Sequence, residues 1–196
     1  MSIWATCSRI AATISLAGGP LLAAAPGPLA AQLTQQEALD AAFPPPATVA
    51  RRTAFLSPAD LEAVRAAAGA GAPVEQSVVT YYVAERDGRP VGVAYFDSHR
   101  VRTLNEVLMI VVQPDDRIRS IEVLRFAEPP EYHATEAWLG QFEGRGLEPE
   151  LSLKSGIANM TGATLTSHAV TRAARRVLAL HQRIRPFAPT GGATTP

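Results

Sequence analysis

The sequence predicts an α+β protein, in which helices pack on an antiparallel β-sheet as a single domain after an N-terminal signal peptide. Two pairs of β-branched and aromatic runs, within 77–96 and 104–126, are each joined by a tight turn. An amphipathic helical pattern follows over about 167–184. The first thirty residues carry one charge, Arg9, in a mostly apolar stretch closed by small residues.

The N-terminal segment is interpreted as an export signal that is cleaved near Ala31, so residues 1–31 are the predicted signal peptide. An uncleaved membrane anchor is the alternative. Glycines and prolines between Gly18 and Pro28 interrupt the apolar run well short of the roughly 20 residues that a membrane span needs. Cleavage removes Cys7, the only cysteine. We therefore expect a periplasmic or otherwise extracytoplasmic chain without disulfides or thiolate metal ligands.

Charge and composition narrow the classes of function. Basic and acidic residues balance at 18 each, so no overall charge attracts nucleic acid. The four histidines lack the short paired spacings typical of zinc sites. No nucleophile or histidine accompanies the acidic pair Glu128 and Glu131, which we interpret as loop charges. The sequence thus predicts no nucleic-acid partner, no metal and no catalytic residue, and redox chemistry would need a bound cofactor.

The predicted elements follow in chain order. Residues 32–75 form an N-terminal arm with one or two helices, the first ending at three prolines and the second beginning at Ser57-Pro58 with a capping hydroxyl. Residues 76–185 form the α+β domain, with strands over 77–84, 91–96, 104–112 and 118–126, a short helix around Trp138, and a short strand over 151–153. The proline- and glycine-rich tail, 186–196, is predicted to be disordered.

A cluster of hydroxyl side chains, TGATLTS, precedes the amphipathic helix at residues 161–167. In one interpretation Thr166 or Ser167 caps the helix, which leaves the earlier threonines unexplained. In the other the segment binds a phosphate, because backbone N–H groups and the positive end of a helix dipole attract an anion where Thr164 would lie. Gly162 and Ala163 would then permit close approach because they lack bulk.

The string Thr161-Gly162-Ala163-Thr164, continued to Val170, resembles the flavinylation motif of the FMN-binding domain family, the RnfG/NqrC-like exported flavoproteins. In that family a flavin transferase that uses FAD joins FMN, through its phosphate, to the last threonine of the motif. The resemblance covers roughly 91–180. It implies FMN as the cofactor, Thr164 as its attachment point, and an electron carrier, rather than a stand-alone enzyme, that serves redox partner proteins including membrane-bound ones.

The resemblance also implies further contacts to the flavin. Three hydroxyls would bind phosphate or ribityl oxygens, or else serve as plain caps: Thr161, Thr166 and Ser167. Apolar walls for the ring would come from side chains near the motif and the proline loop: Tyr132, Trp138, Phe142, Met160 and Leu165. For Trp138 and Phe142, ordinary core packing is at least an equal alternative, since their helical spacing predicts burial without a ligand.

One position departs from the family pattern. An aspartate usually stands three residues before the first hydroxyl of the motif, where this chain has Ala158, with Asn159 beside it. That acid could aid recognition by the transferase or bind its metal, and Asn159 could replace part of the role. Three functions therefore stay open: a carrier with covalent FMN, a noncovalent flavin-binding or reductase module, and a non-redox exported interaction domain in which Ser167 only caps a helix.

Overall fold

A computed structural model describes residues 33–69 and 71–188, so the predicted signal peptide and the end of the tail lie outside it. The described residues form five strands and four α-helices, and they confirm the predicted α+β class. The strands are β1 (Thr48–Phe55), β2 (Val78–Arg86), β3 (Arg89–Arg100), β4 (Asn105–Val112) and β5 (Ile118–Phe126). The helices are α1 (Gln35–Ala42), α2 (Pro58–Ala68), α3 (Glu136–Leu139) and α4 (Thr164–Ile184).

The five strands form one antiparallel sheet in chain order, β1-β2-β3-β4-β5. Asp87 and Gly88, at the turn between β2 and β3, have positive φ angles of 53° and 71°, which a two-residue hairpin turn of this kind requires. Both predicted hairpins are confirmed, and β3 pairs directly with β4. The sheet is therefore a continuous meander.

Strand β1 has no counterpart in the sequence-based prediction. It pairs with β2 along its whole length. Because β1 is an edge strand, most of its side chains are exposed, and Arg51 and Arg52 occupy its middle. Such a segment lacks the apolar alternation by which strands are recognised. The N-terminal arm thus contributes β1 to the sheet, and α2 packs beside α4.

Helices cover both faces of the sheet. On one face, Leu108 and Ile110 of β4 are fully buried beneath α2, α3 and α4. On the other, Met109 packs with Leu39 of α1 and with Phe43. Because successive residues of a strand point to opposite faces, β4 is buried on both sides. No helix in the described part of the chain is long and apolar enough to span a membrane.

Several local predictions differ from the structure. The predicted strand over 151–153 is wrong: these residues form bends and turns, and Leu151 is buried while nearby backbone groups bond within 148–157. Helix α4 begins at Thr164 rather than near Ser167. At the start of the tail, Phe187 packs against His181, with ring centroids 5.6 Å apart. The start of α2 is confirmed, with Ser57 as its cap.

Candidate functional site

The N-terminus of α4 has no capping side chain. Its N-cap residue is Ala163, and its first turn contains no acidic residue. Among the described residues, no backbone acceptor is found for the N–H groups of residues 164–166. By contrast, α1, α2 and α3 are capped by Thr34, Ser57 and Thr135. This exposed helix end therefore combines free N–H donors with the positive end of a 21-residue dipole.

The side chain of Thr164 is exposed on the first residue of this helix. The amide nitrogen of Asn159, Nδ2, donates a hydrogen bond to its hydroxyl oxygen at 3.1 Å. Gly162 precedes it with a φ angle of 83°, and a Cβ atom placed there would meet no atom within 4 Å. Thr161 is exposed as well. The predicted attachment residue thus faces open space, beside a backbone position free of side-chain bulk.

The structure places two of the predicted ligand hydroxyls, those of Thr166 and Ser167, inside α4. Both residues are at most 1% exposed, and the capping interpretation is wrong because the N-cap of the helix is Ala163. Thr166 donates to the carbonyl oxygen of Tyr132 at 2.8 Å. Ser167 donates to the carbonyl of Ala163 at 3.2 Å and accepts from the N–H of Met160 at 3.1 Å. These hydroxyls fix the surrounding backbone instead.

The predicted ring-binding side chains divide into two groups. Trp138 and Phe142 lie in the core, 7% and 0% exposed, which confirms the packing alternative and leaves neither for a surface ring. Met160 is half-buried against the same core. Tyr132 is half-exposed in a 3₁₀ turn, and Leu165 is 48% exposed on the first turn of α4. Tyr132 and Met160 are thus partly buried, and Leu165 is the exposed member of the set.

Glu128 is not the free loop charge that the sequence predicts. Its Oε1 accepts hydrogen bonds from three successive backbone N–H groups, those of Arg102, Thr103 and Leu104, at 3.1, 2.6 and 2.7 Å. These hydrogen bonds hold the pKa of the Glu128 carboxyl below its usual value. The carboxylate therefore ties the turn between β3 and β4 to the loop that carries Tyr132. Sequence reasoning missed this link because its partners are 24–26 residues apart.

A buried charged cluster lies apart from the start of α4. His99 bonds Asp97 at 2.8 Å and Glu106 at 2.9 Å, and Arg176 binds Asp97 through two nitrogens. Burial alone would lower the pKa of His99, but its bonds to both carboxylates outweigh that effect and raise it. Burial opposes ionisation of Asp97, yet bonds from His99 and Arg176 lower its pKa to about 2. The histidine is thus stabilised as a cation.

Two clefts in the described part of the chain lie away from the hydroxyl cluster. One, of about 980 Å³, opens between β2 and β3 and is lined by residues including Asp97, His99 and Arg176. The other, of about 640 Å³, lies near the end of α4. Neither of these two is lined by residues 160–167. Because Thr164 is exposed, a group attached to it would lie at the surface. Within the described residues, no cluster of three or more metal-binding side chains occurs.

Comparison with known families identifies the segment that contains this site. The model of the FMN-binding domain matches residues 105–179, from the start of β4 through most of α4. Asn159 and Thr164 lie inside the match, whereas β1, β2, β3 and the turn at 101–104 lie before it. The match confirms the resemblance seen in the sequence and indicates FMN as the cofactor. No curated protein matches the chain.

The residues at the start of α4 fit a flavin phosphate. The N–H groups of the first turn are free to bind anionic oxygens, the open position at Gly162 admits them closely, and the hydroxyl of Thr164 is accessible. FMN also carries a large planar ring, for which Tyr132 offers a partly buried aromatic side chain and Leu165 an exposed apolar one. The site can hold an anion at the helix end and a ring against the neighbouring loop.

Proposed function

Because residues 105–179 match the FMN-binding domain and FMN is its cofactor, we propose that this protein is an exported flavoprotein that carries FMN covalently on Thr164 and passes electrons between redox partner proteins. The observation that carries the proposal is the exposed hydroxyl of Thr164 on the first residue of an uncapped helix. The apolar, proline-interrupted segment at residues 1–31 supports export.

Attachment is a transfer from FAD, catalysed by a flavin transferase as partner. The oxygen of Thr164 attacks the phosphorus on the flavin side of FAD; a new O–P bond forms, the bond to the AMP phosphate breaks, and AMP leaves. The hydroxyl proton must pass to a base. Asn159 donates to this oxygen and so positions it, but an amide does not accept a proton at neutral pH. With Ala158 at the usual acidic position, the transferase supplies the base.

After attachment the chain's own residues hold and orient the cofactor. Backbone N–H groups at 164–166 bind the phosphate oxygens, and the helix dipole stabilises the remaining negative charge. Tyr132 and Leu165 contact the ring from the loop and from the helix. FMN supplies the one- and two-electron chemistry when bound. Because Thr164 is exposed, the ring stays accessible to partner proteins, including membrane-bound ones, while the phosphoester prevents loss of the cofactor outside the cytoplasm.

Intact mass after production with a flavin transferase tests the proposal. The wild-type chain should gain the mass of one FMN less one water and should fluoresce on a denaturing gel. Thr164→Val should lose both signals, and Thr53→Val is the matched control, since it removes an exposed threonine hydroxyl from β1, outside the segment that matches the family model. Colour that is released on denaturation would instead indicate noncovalent FMN. A colourless wild-type protein would contradict the proposal.

A further inference from the structure

The turn between β3 and β4, residues 101–104, lies outside the segment that matches the family model but is fixed beside the same site. Its backbone closes through a bond from the N–H of Val101 to the carbonyl of Leu104 at 3.1 Å. The Glu128 carboxylate binds its next three N–H groups. A turn held by four hydrogen bonds presents its side chains in a defined position.

One side chain of this turn, Arg102, extends to the predicted ring site. Its guanidinium carbon lies 4.8 Å from the centroid of the Tyr132 ring, in a cation–π contact. The carbonyl of Tyr132 accepts a hydrogen bond from Thr166, in the first turn of α4. Arg102 is thus connected through Tyr132 to the helix that carries Thr164.

Arg102 is exposed, and no ion pair in the described part of the chain includes it. Three other arginines, Arg117, Arg176 and Arg183, each pair with a carboxylate. Glu128 accepts a hydrogen bond from the backbone N–H of Arg102. The guanidinium of Arg102, which has no ion-pair partner among the described residues, therefore stands over the ring of Tyr132, whose carbonyl is bonded to the first turn of α4. The uncapped start of that helix adds a second positive potential.

Two exposed leucines lie on the elements that carry these groups. Leu104, on the same turn as Arg102, is 46% exposed, and Leu165, on the first turn of α4 next to Thr166, is 48% exposed. Isolated surface leucines are ordinary, but these two accompany an aromatic ring that has a cation over it, on elements that hydrogen bonds join to the Tyr132 loop. Together they offer a mixed apolar and cationic surface. A planar aromatic ring that gains negative charge on reduction has the chemistry that fits such a surface.

From this geometry we propose that the β3–β4 turn forms a second wall of the flavin-ring site and that Arg102 raises the reduction potential of the bound flavin. The inference rests on the proposed function at Thr164. In the step concerned, two electrons from a reductant such as dithionite and one proton from water enter the ring, which gains one negative charge. The guanidinium stabilises the reduced ring more than the oxidised ring, and so favours reduction.

The test is the midpoint potential of the flavinylated protein, measured at fixed pH by dithionite titration with indicator dyes. Arg102→Gln should lower the potential by about 30 mV, which for a two-electron couple corresponds to a tenfold loss in relative stabilisation of the reduced form. Arg102→Lys, which keeps the charge, should recover most of the shift. Arg51→Gln removes an exposed charge from β1, at the opposite edge of the sheet from β5, and is the matched control with unchanged potential. Equal potentials for wild type and Arg102→Gln would overturn the inference.

A failure of the proposed function can be told apart from a failure of this inference. The intact mass shows whether FMN is attached to the chain, whatever the midpoint potential is. If the wild-type chain is not flavinylated, free FMN is titrated into the protein and followed by quenching of flavin fluorescence. Arg102→Gln should then bind FMN at least fivefold more weakly than wild type, and Arg51→Gln should bind as well as wild type. Equal affinity of wild type and Arg102→Gln would overturn the ring-wall assignment in that case also.

Discussion

The side-chain amide of Asn159 donates a hydrogen bond to the hydroxyl of Thr164 across 3.1 Å. The backbone just before it is fixed as well, because the indole N–H of Trp138 donates to the carbonyl of Ala158 at 2.7 Å. The core residue Trp138 therefore fixes the backbone next to Asn159, and Asn159 positions the hydroxyl of Thr164 at the surface. This chain thus holds its predicted flavin acceptor with an amide, one residue after the position where the family pattern has an acid.

Removal of that amide should slow flavinylation. Asn159→Ala deletes one hydrogen bond worth about 1 kcal/mol, so we expect a roughly fivefold lower rate of FMN incorporation with a purified transferase and FAD. Asn159→Asp should keep or raise the rate, because a carboxylate can accept the proton that leaves Thr164. Time-resolved intact mass measures both rates. An unchanged rate for Asn159→Ala would show that the amide has no positioning role.

Gly162 should be required both for stability and for attachment. Its φ angle of 83° disfavours a side chain, so Gly162→Ala should cost about 1–2 kcal/mol of unfolding free energy in urea titrations. The added methyl group would also occupy the open approach to the helix end and reduce flavinylation. Gly88→Ala is the matched control: Gly88 has a φ angle of 71°, also with no atom near its Cβ position, but lies in the β2–β3 turn. It should lose comparable stability and retain full flavinylation.

Because of the cluster around His99, the free energy of unfolding should fall as the pH rises above neutral. Although burial opposes its charge, bonds to Asp97 and Glu106 raise the pKa of His99 above its usual value. The folded protein therefore binds a proton more tightly than the unfolded chain. Its stabilising effect is complete below the unfolded pKa, about 6.5, and is lost as pH rises through the higher folded pKa. Urea unfolding from pH 6 to 9 measures the decline.

His99→Gln should remove that alkaline decline and lower stability at pH 6 by about 3–5 kcal/mol, because it leaves the buried carboxylate of Glu106 without its cation. Asp97 keeps its pair with Arg176. Glu106 is fully buried, and its Oε1 has no hydrogen-bond partner among the described residues, so its charge depends on His99 for compensation. A variant that keeps the wild-type pH profile would show that another group titrates.

Because His181 is buried, the free energy of unfolding should fall as the pH becomes acidic. Burial lowers its pKa, and the nearby Asp116 only partly offsets that effect. The unfolded chain then binds the proton more tightly, so stability should fall as pH drops through the ordinary histidine pKa, about 6.5. In a urea series extended down to about pH 5, His181→Gln should flatten the acidic limb and leave the alkaline limb in place. Loss of the alkaline limb in this variant would contradict the assignment to His99.

Features encoded locally are those that the sequence predicts correctly. The turn at Asp87-Gly88, the cap at Ser57 and the apolar face of α4 each depend on residues close together in the chain, and each is present. The exposed hydroxyl of Thr164 at the helix end follows from the same local pattern, read together with the family resemblance.

Features that depend on distant partners are not predictable in this way. Strand β1 exists because β2 pairs with it, and its exposed, arginine-containing sequence gives little local signal. Thr166 and Ser167 look like ligands or caps, yet their hydroxyls bond to Tyr132 and to the backbone before the helix. The role of Glu128 likewise depends on a turn more than twenty residues away in sequence.

The position of the flavin on the chain tests the account most directly. Cleavage after Lys154 and Arg172 releases residues 155–172, a peptide that contains every hydroxyl of the cluster. We predict that this peptide, prepared from protein made with a flavin transferase, carries one FMN and that fragmentation places it on Thr164. An unmodified peptide, or FMN on any other hydroxyl, would contradict the account.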